Sequence, residues 1–287
     1  MILLDGKQTA EKLKSEVKEK LDLYYSQGYE KCNLAIVLVG NDPASEVYVR
    51  NKANSCAAVG IGGSLYRLNE DSTQEELEAL VKKLSDDKTV HGILVQLPLP
   101  KGRGFDEFKA TELVPLSKDV DGFTMTSLGA TALGGDRGGF TSCTPGGILY
   151  LLKTYGIELS GKRAVIIGRS KIVGKPMALT LLNEDCTITV CHSKTKDLKE
   201  ITKTADILVA TVGKPRFVTA DMVKEGAVVV DVGINRTENG LVGDVDFDNV
   251  SKKASFITPV PGGVGPMTVA YLMKNTLTAY EKANGIK

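Results

Sequence analysis

The hydrophobic and polar positions predict two series of alternating strands and helices. In the first series, the continuous β-rich run at 33–40 is typical of a strand buried on both faces. The series comprises, in order, helix 8–25, strand 33–40, helix 45–61, strand 63–68, a helix beginning near Ser72 and Thr73, and strand 91–100. This order predicts a parallel sheet covered by helices.

A second series follows a different stretch of chain. Residues 101–140 lack periodicity and are rich in glycine, so we predict a hinge or an active-site rim there. The later segments are predicted as helix 144–156, strand 162–168, helix 173–184, strands 186–191, 205–211 and 226–233, and a final helix entered through Pro266. A chain of 287 residues exceeds what one core usually serves, which favours two domains.

Composition and charge narrow the possible partners. The formal net charge is +1, so no bulk attraction to nucleic acid or to an anionic membrane is expected. No apolar run approaches ~20 residues, and the N-terminus turns charged too early for a signal peptide. Five scattered cysteines are interpreted as reduced thiols of a cytoplasmic protein, and two histidines make a metal site an unlikely feature, so none is predicted.

The segment VIIGRSKIVGKP (165–176) joins a predicted buried strand to a helix. Gly168 allows a tight turn, and Gly174 lets the helix pack closely, so that free N–H groups at the helix N-terminus face a bound phosphate. The spacing is a loose relative of G-x-G-x-x-G, with Ser170 in place of the second glycine. We interpret the segment as a dinucleotide-binding loop, the alternative being an ordinary turn.

The end of the next strand indicates which dinucleotide binds. Folds that prefer NAD carry an acidic residue there, whereas this strand ends TVCHSKT without a carboxylate. Ser193 and Lys194, with Arg169 on the first turn, are suited to charge-assisted hydrogen bonds with a 2′-phosphate. NADP is therefore favoured over NAD, and a solvated turn is the alternative.

A second group of residues has the types needed for proton transfer. Tyr48 and Lys52 share one face of a predicted helix, Gln96 follows a strand at its carboxyl end, and Asp121 lies in KDVDGF. A lysine in a partly desolvated pocket exchanges protons near neutral pH, and a neutral glutamine orients it without holding its charge. Each residue alone has an ordinary alternative: a solvated helix face, a strand cap, or an Asx turn made by Asp119 and Asp121.

The set of motifs decides between these interpretations. The chain carries, in order, YVRNKANSCAAVGI, GILVQLPLP, KDVDGF, TPGG, GRSKIVGKP, GAVVVDVGIN, GDV and TPVPGGVGPMTVA. Together they closely resemble the bifunctional methylenetetrahydrofolate dehydrogenase/methenyltetrahydrofolate cyclohydrolase family over nearly the whole chain. GRSKIVGKP and the last motif are the most specific.

This resemblance implies an α/β fold of two α/β domains around a cleft. Residues 1–140, joined by the returning C-terminal helix 266–287, would form the folate-binding catalytic domain, and 141–265 the Rossmann-like NADP-binding domain with a parallel sheet. The implied reactions are the oxidation of 5,10-methylenetetrahydrofolate by hydride transfer to NADP and the hydrolysis of 5,10-methenyltetrahydrofolate to the 10-formyl form. The implied assembly is a homodimer formed through the second domain.

The same resemblance assigns roles by matching motif. Lys52 is the key residue of hydrolysis, Gln96 bonds to it and tunes it, Tyr48 packs on the folate ring system and helps to hold Lys52, and Asp121 binds the pterin edge. The other substrate-side residues are Leu97, Pro98, Pro261, Gly262, Gly263, Val264 and Gly265. The cofactor-side residues are Thr144, Gly168, Arg169, Ser170, Val173, Gly174, Ser193, Lys194, Gly213 and Ile234.

Some features depart from the family pattern or stay open. After QLPLP the family commonly has a histidine and an Ile-Asp pair, where this chain has KGRGFDEFKATELVPLS, and 129–140 is rich in glycine. Contacts to the substrate tail and loop closure are the features affected. Cys143 is interpreted either as a neighbour of the nicotinamide or as a buried small hydrophobe. One cis bond is expected, at Leu99–Pro100 or Val260–Pro261.

Three other functions are compatible with a two-domain α/β chain of this kind. They are a dehydrogenase without cyclohydrolase activity, a shikimate-type or amino-acid dehydrogenase, and a catalytically silent NADP- or folate-binding protein. The intact set of Tyr48, Lys52, Gln96 and Asp121 argues against the first, and the presence of Lys52 and Gln96 argues against the third. The stretch PVPGGVGPMT argues against the second.

Overall fold

The computed structural model describes residues 1–135, 137–238 and 240–286. Its strands are β1 (Ile2–Leu3), β2 (Asn33–Val39), β3 (Gly62–Leu68), β4 (Gly92–Val95), β5 (Arg163–Ile167), β6 (Thr187–Cys191), β7 (Ile207–Ala210), β8 (Val228–Asp231), β9 (Asn235–Thr237), β10 (Gly240–Val242) and β11 (Phe256–Ile257). Its α-helices are α1 (Gly6–Ser26), α2 (Pro43–Val59), α3 (Gln74–Asp86), α4 (Glu107–Glu112), α5 (Met125–Leu133), α6 (Cys143–Thr154), α7 (Gly174–Leu182), α8 (Leu198–Thr202), α9 (Phe247–Val250) and α10 (Val264–Ala283).

The chain divides into two compact units. We call Met1–Glu11 with Thr144–Thr268 the large-sheet unit, and Lys12–Cys143 with Val269–Lys287 the small-sheet unit. The predicted boundaries differ from this division at the N-terminus, because β1 pairs in parallel with β11 and belongs to the large sheet. A strand of two residues leaves no periodicity in the sequence from which this pairing could be predicted.

The small-sheet unit is built on a three-stranded parallel sheet in the order β3-β2-β4. Successive residues of its central strand β2 point to opposite faces. Leu34, Ile36 and Leu38 enter one apolar cluster, and Ala35 and Val37 enter another. This explains why residues 34–39 are continuously apolar: both faces of the strand are covered, as predicted.

The C-terminal helix completes the core of the small-sheet unit. Leu272, Met273, Leu277 and Tyr280 of α10 pack in the same cluster as Ile36 of β2. The Tyr280 ring is fully buried, and its hydroxyl donates to the carbonyl oxygen of Glu30 at 2.7 Å. The prediction that this helix returns to the first domain is confirmed.

The large-sheet unit contains a six-stranded parallel sheet in the order β1-β11-β8-β7-β5-β6. The strand order reverses at β5, because β6 pairs on one side of it and β7 on the other. In open α/β sheets such a reversal leaves a crevice at the carboxyl ends of the strands, where ligands bind. The predicted Rossmann-like parallel sheet is confirmed.

The interval 101–140 contains more regular structure than predicted. It holds α4, α5 and a 3-10 turn at Leu116–Lys118. Asp106 begins α4 by accepting from the N–H groups of Phe108 and Lys109, and Thr124 begins α5 by accepting from that of Ser127. These helices are too short for their periodicity to stand out, so only their capping residues signalled them.

Two further local predictions can be compared with the structure. The helix predicted near Ser72 and Thr73 begins at Gln74, with Thr73 and Glu76 forming a capping box, which confirms its N-terminal signal. Of the two proposed cis bonds, Val260–Pro261 is cis and Leu99–Pro100 is not, whereas Leu97–Pro98 is cis. The expectation of a cis bond at one of the two named positions is therefore confirmed at Val260–Pro261, whereas the second cis bond, Leu97–Pro98, was not predicted.

Candidate active site

Lys52 and Gln96 meet at the carboxyl end of the small sheet. Lys52 lies on α2, which follows β2, and Gln96 comes directly after β4, the neighbour of β2. Lys52 Nζ donates to Gln96 Oε1 at 3.1 Å. Gln96 Nε2 donates to the Leu97 carbonyl oxygen at 2.6 Å, which fixes the orientation of the amide because only a donor fits against that oxygen. Lys52 therefore has a neutral acceptor as its partner.

The start of α2 explains how Lys52 is placed. Asp42 accepts hydrogen bonds from the N–H and the hydroxyl of Ser45, both at 2.8 Å, and Pro43 occupies the first turn. Lys52 is half-buried, whereas Tyr48, one turn earlier, is 46% exposed. The ring of Tyr48 is thus accessible to a ligand beside a partly desolvated lysine.

The loop that carries Asp121 is organised by Asp119. The buried Asp119 carboxylate accepts from the N–H groups of Gly122, Phe123 and Thr124 at 3.0–3.1 Å and from the Thr124 hydroxyl at 2.7 Å. The Asx-turn alternative therefore applies to Asp119, which leaves the Asp121 carboxylate available for other contacts.

The environment of Asp121 couples it to Lys52. Burial raises the pKa of Asp121, the positive charge of Lys52 opposes that rise, and the charge of Asp119 adds to it. The neighbouring Cys143 thiol also lowers the pKa of Asp121. Asp121 and Lys52 thus form an electrostatically linked pair within the small-sheet unit.

Cys143 and Asn275 donate hydrogen bonds to backbone carbonyl oxygens next to the loop that carries Asp121. The Cys143 thiol is buried and donates to the Val120 carbonyl oxygen at 3.2 Å. Asn275 Nδ2 donates to the same oxygen at 2.9 Å and to the Thr141 carbonyl oxygen at 3.1 Å. Burial, with Asp121 next, raises the pKa of Cys143 well above its ordinary value, so the thiol stays protonated.

This arrangement confirms the interpretation of Cys143 as a buried residue. Asn275 was missed in the sequence, where its one signal is a polar residue between Met273 and Leu277 on the apolar side of a helix.

The Gly168–Val173 loop leaves β5 at the point where strand order reverses in the large sheet. Gly168 has φ +135°, and a Cβ there would lie 2.3 Å from the Thr211 carbonyl oxygen, so no side chain fits. Ser170 Oγ accepts from the N–H groups of Val173 and Gly174 at 3.2 and 3.1 Å. A hydroxyl that accepts in this way still has one hydrogen to donate to an anion.

The turn after β6 presents Ser193 and Lys194 to solvent. Thr195 Oγ1 accepts from the His192 N–H at 2.8 Å, and His192 Nδ1 accepts from the Lys194 N–H at 3.1 Å. The Gly168 N–H donates to the Cys191 carbonyl oxygen at 2.9 Å, so the turn lies beside the loop that carries Arg169. The structure thus brings the predicted 2′-phosphate residues to neighbouring strand ends.

The other predicted residues of the large-sheet unit lie on four further segments. Ile234 and the 261–265 stretch line a cavity of about 150 Å³, together with parts of 231–233 and 259–266. The Gly262 carbonyl oxygen accepts from the Lys7 N–H at 2.9 Å, and the hydroxyls of Thr144 and Thr268 are 3.0 Å apart. Gly213 follows β7 with φ +70°.

Two buried aspartates connect these segments, and neither was assigned from the sequence. Asp244 accepts from the N–H groups of Val212, Gly213 and Lys214, and Asp231 accepts from those of Gly233, Asp244 and Val245. Burial raises the pKa of Asp231 to about 6, although its three backbone N–H partners act in the opposite direction. The motifs GAVVVDVGIN and GDV contained both residues without indicating this contact.

In the part that the structure describes, no cluster of three or more His, Cys, Asp or Glu residues is arranged to hold a metal ion. No helix among the described residues is long and apolar enough to cross a membrane.

Comparison with known proteins gives consistent matches over the whole chain. The family model of the tetrahydrofolate dehydrogenase/cyclohydrolase catalytic domain matches residues 4–121, and that of the NAD(P)-binding domain of the same family matches residues 142–284. The bifunctional protein FolD of Caldicellulosiruptor saccharolyticus is 56% identical over 280 residues, covering 96% of this chain and 99% of that protein.

Solved structures agree with these matches. The bifunctional methylenetetrahydrofolate dehydrogenase/cyclohydrolase FolD from Campylobacter jejuni has a TM-score of 0.95 and 52% identity, covering 98% of this chain and 99% of that one. The methylenetetrahydrofolate dehydrogenase-cyclohydrolase of Trypanosoma brucei, solved with NADP and an inhibitor, has a TM-score of 0.93 and 36% identity, covering 99% and 98%.

The raised pKa of Asp231 predicts an unusual dependence of stability on pH. Between the ordinary aspartate pKa of about 4 and the folded value of about 6, the folded protein keeps a proton that the unfolded chain releases. The stabilisation of wild type relative to Asp231→Asn should therefore be greatest below about pH 4 and fall by about 2–3 kcal/mol as pH rises to about 6.

Urea unfolding of both proteins from pH 4 to pH 7 measures this difference. Asp206→Asn is the control, because the Lys224 ammonium and the Arg163 N–H lower the pKa of Asp206, and its contribution should not decline as pH rises. Parallel stability curves for wild type and Asp231→Asn would contradict the prediction.

Proposed function

The chain belongs to the tetrahydrofolate dehydrogenase/cyclohydrolase family, and on that premise we propose how its residues carry out the two reactions. The reactions are the oxidation of 5,10-methylenetetrahydrofolate to the 5,10-methenyl form and the hydrolysis of that product to 10-formyltetrahydrofolate. NADP is the proposed hydride acceptor, supported by the exposed Ser193–Lys194 turn beside Arg169 and by the NADP bound in the Trypanosoma brucei structure. The observation that carries the hydrolytic assignment is the contact of Lys52 Nζ with Gln96 Oε1 at 3.1 Å.

In the dehydrogenase step the main task of the protein is to position the folate against the nicotinamide. Bound NADP supplies the hydride acceptor, and the reacting carbons must be held at about 3–3.5 Å. No acid or base is needed, because the folate nitrogen lone pair stabilises the cation that forms. Asp121 holds the amidine-like edge of the pterin, for which a carboxylate is a matched bidentate acceptor, and Tyr48 packs against the ring system.

The cyclohydrolase step requires a group that transfers protons. The methenyl cation is already electrophilic, so hydrolysis needs a placed water and a group that exchanges protons with it or with the departing nitrogen. Lys52 fits this role because the acceptor of its hydrogen bond is an amide oxygen, which orients the amine without placing a negative charge against it. Gln96 is then a positioning residue whose own N–H₂ is engaged by Leu97.

The proposal extends to a cytoplasmic homodimer joined through the large-sheet unit. Its support is the family resemblance of the motifs and the position of β6, which forms one edge of the large sheet with Val190 37% exposed. Sedimentation equilibrium of the purified chain tests the dimer.

Replacing Lys52 with methionine should separate the two activities. Loss of the amine removes proton transfer, so methenyl hydrolysis should fall by at least about 100-fold, while NADP-dependent oxidation partly survives. The measurement is NADPH formation followed by decay of the methenyl absorbance. Arg50→Met, which removes a cation from the exposed side of the same helix, is the control and should keep both activities. Equal loss of both activities in folded Lys52→Met would count against the assigned role.

The turn after β6 predicts a change in cofactor preference. Ser193→Asp combined with Lys194→Ala removes donors to a 2′-phosphate and adds a negative charge. NADP binding should weaken relative to NAD binding by about 1.5–3 kcal/mol for each charged hydrogen bond lost. Steady-state KM values for both cofactors measure the effect, with Lys196→Ala, exposed just beyond the turn, as the control. An unchanged preference would refute the assignment.

A further inference from the structure

Asp244 lies at the centre of a hydrogen-bond network that has no assigned role in the proposed reactions. Its side chain is fully buried in the large-sheet unit. Oδ2 accepts from the N–H groups of Val212 and Gly213 at 2.5 and 2.8 Å, and Oδ1 accepts from the Lys214 N–H at 3.0 Å. Oδ1 also accepts from Asn235 Nδ2 at 2.9 Å. One carboxylate thus joins the loop that follows β7 to the segment that follows β8.

Asp231 fixes the position of Asp244 in turn. Its Oδ1 accepts from the N–H groups of Asp244 and Gly233, and its Oδ2 from that of Val245, each at 2.9 Å. Its own N–H donates to the Thr258 hydroxyl at 2.7 Å. Asp231, the last residue of β8, is therefore held through both its side chain and its backbone.

The surrounding backbone leaves room for the two carboxylates and for little else. A Cβ on Gly243 would lie 1.8 Å from Asp231 Oδ2, and a Cβ on Gly233 would lie 2.3 Å from Asp244 Cγ. Neither glycine accepts a side chain without moving a buried carboxylate. The backbone of these segments is therefore built around the network.

We propose that Asp244 is a positioning residue for the nicotinamide cofactor, acting through the Gly213 loop and the Ile234 segment that it holds together. This inference rests on the proposed function, which assigns both segments to the cofactor site. The three N–H groups of 212–214 are occupied by Asp244, so this loop does not use them to bind cofactor phosphates. The loop serves instead as a rigid surface whose distance from Ile234 is set by one side chain.

Asparagine at position 244 is the direct test. It has nearly the same shape as aspartate, but its N–H₂ group faces the Val212 and Gly213 N–H groups in one orientation, and the Lys214 N–H and the Asn235 amide in the other. Either way, at least one backbone donor of the loop loses its acceptor. The dissociation constant for NADP⁺, measured by isothermal titration, should rise at least about tenfold in Asp244→Asn, as should the KM for NADP⁺. The kcat at saturating NADP⁺ should change much less, and cofactor-free hydrolysis of methenyltetrahydrofolate should be retained.

An exchange of the two partners gives a rescue that a general loss of stability does not predict. In Asp244→Asn with Asn235→Asp, the amide oxygen can face Val212 and Gly213 while the amide nitrogen donates to the new carboxylate. The Lys214 N–H then loses its acceptor and the Val242 carbonyl oxygen loses the Asn235 side-chain donor, but the new carboxylate is a charged acceptor for the amide, so NADP⁺ affinity should recover in part. The matched control is Asp206→Asn. Asp206 lies directly before β7, and its carboxylate accepts from the Arg163 N–H, so its replacement should leave NADP⁺ affinity unchanged.

The outcomes separate this inference from the function on which it rests. Wild-type protein that fails to bind NADP⁺ overturns both. Normal wild-type binding with an unchanged dissociation constant in Asp244→Asn overturns the inference alone, as does parallel loss of hydrolysis and NADP⁺ binding without rescue by the exchange. If Asp244→Asn does not fold, Asn235→Ala removes one of the four donors and should still raise the dissociation constant about threefold; no change there also overturns the inference.

Discussion

Backbone N–H groups in the loops that carry the predicted site residues need acceptors, and in both units buried aspartates supply them. Asp119 holds the loop that carries Asp121, and Asp231 with Asp244 holds the segments that carry Gly213 and Ile234. A buried carboxylate is costly unless its oxygens are fully engaged, so each of these side chains specifies one conformation of its loop. Rigid loops at strand ends are what a hydride transfer requires, because it depends on position rather than on an acid or a base.

The sequence predicted the fold where many adjacent residues carried one signal. The β2 run is apolar from Leu34 to Val39 because both faces of that strand are covered, and a capping box signals the start of α3. β1 and β11 have two residues each and pair across some 250 positions, so no window of sequence contains their signal. The two short helices between 101 and 140 escaped for a related reason: a single capping residue is weak evidence without a periodic segment behind it.

The site residues divide along the same line. The family resemblance placed Gln96 beside Lys52, and the structure gives that contact. The reason is the strand order, which puts a residue after β4 beside the helix that follows β2. Asp231, Asp244 and Asn275 were not found, since a single Asp or Asn in a loop or helix ordinarily faces water. Their partners are almost all backbone groups, which every residue has, so the sequence cannot show that they are needed. Only the folded chain reveals these contacts.

Lys52 donates its hydrogen bond to an amide, which holds the amine in place without adding a charge. A carboxylate at the same 3.1 Å would stabilise an ammonium by about 5 kcal/mol at an effective dielectric constant of about 20, and that attraction would oppose loss of the proton. Gln96 acts on the amine through a neutral dipole. Because its N–H₂ group is already bonded to Leu97, its oxygen is the atom that faces the amine. The nearby negative charge comes from Asp121, the residue proposed to bind the pterin edge, so different residues supply the hydrogen-bond acceptor and the charge partner of Lys52.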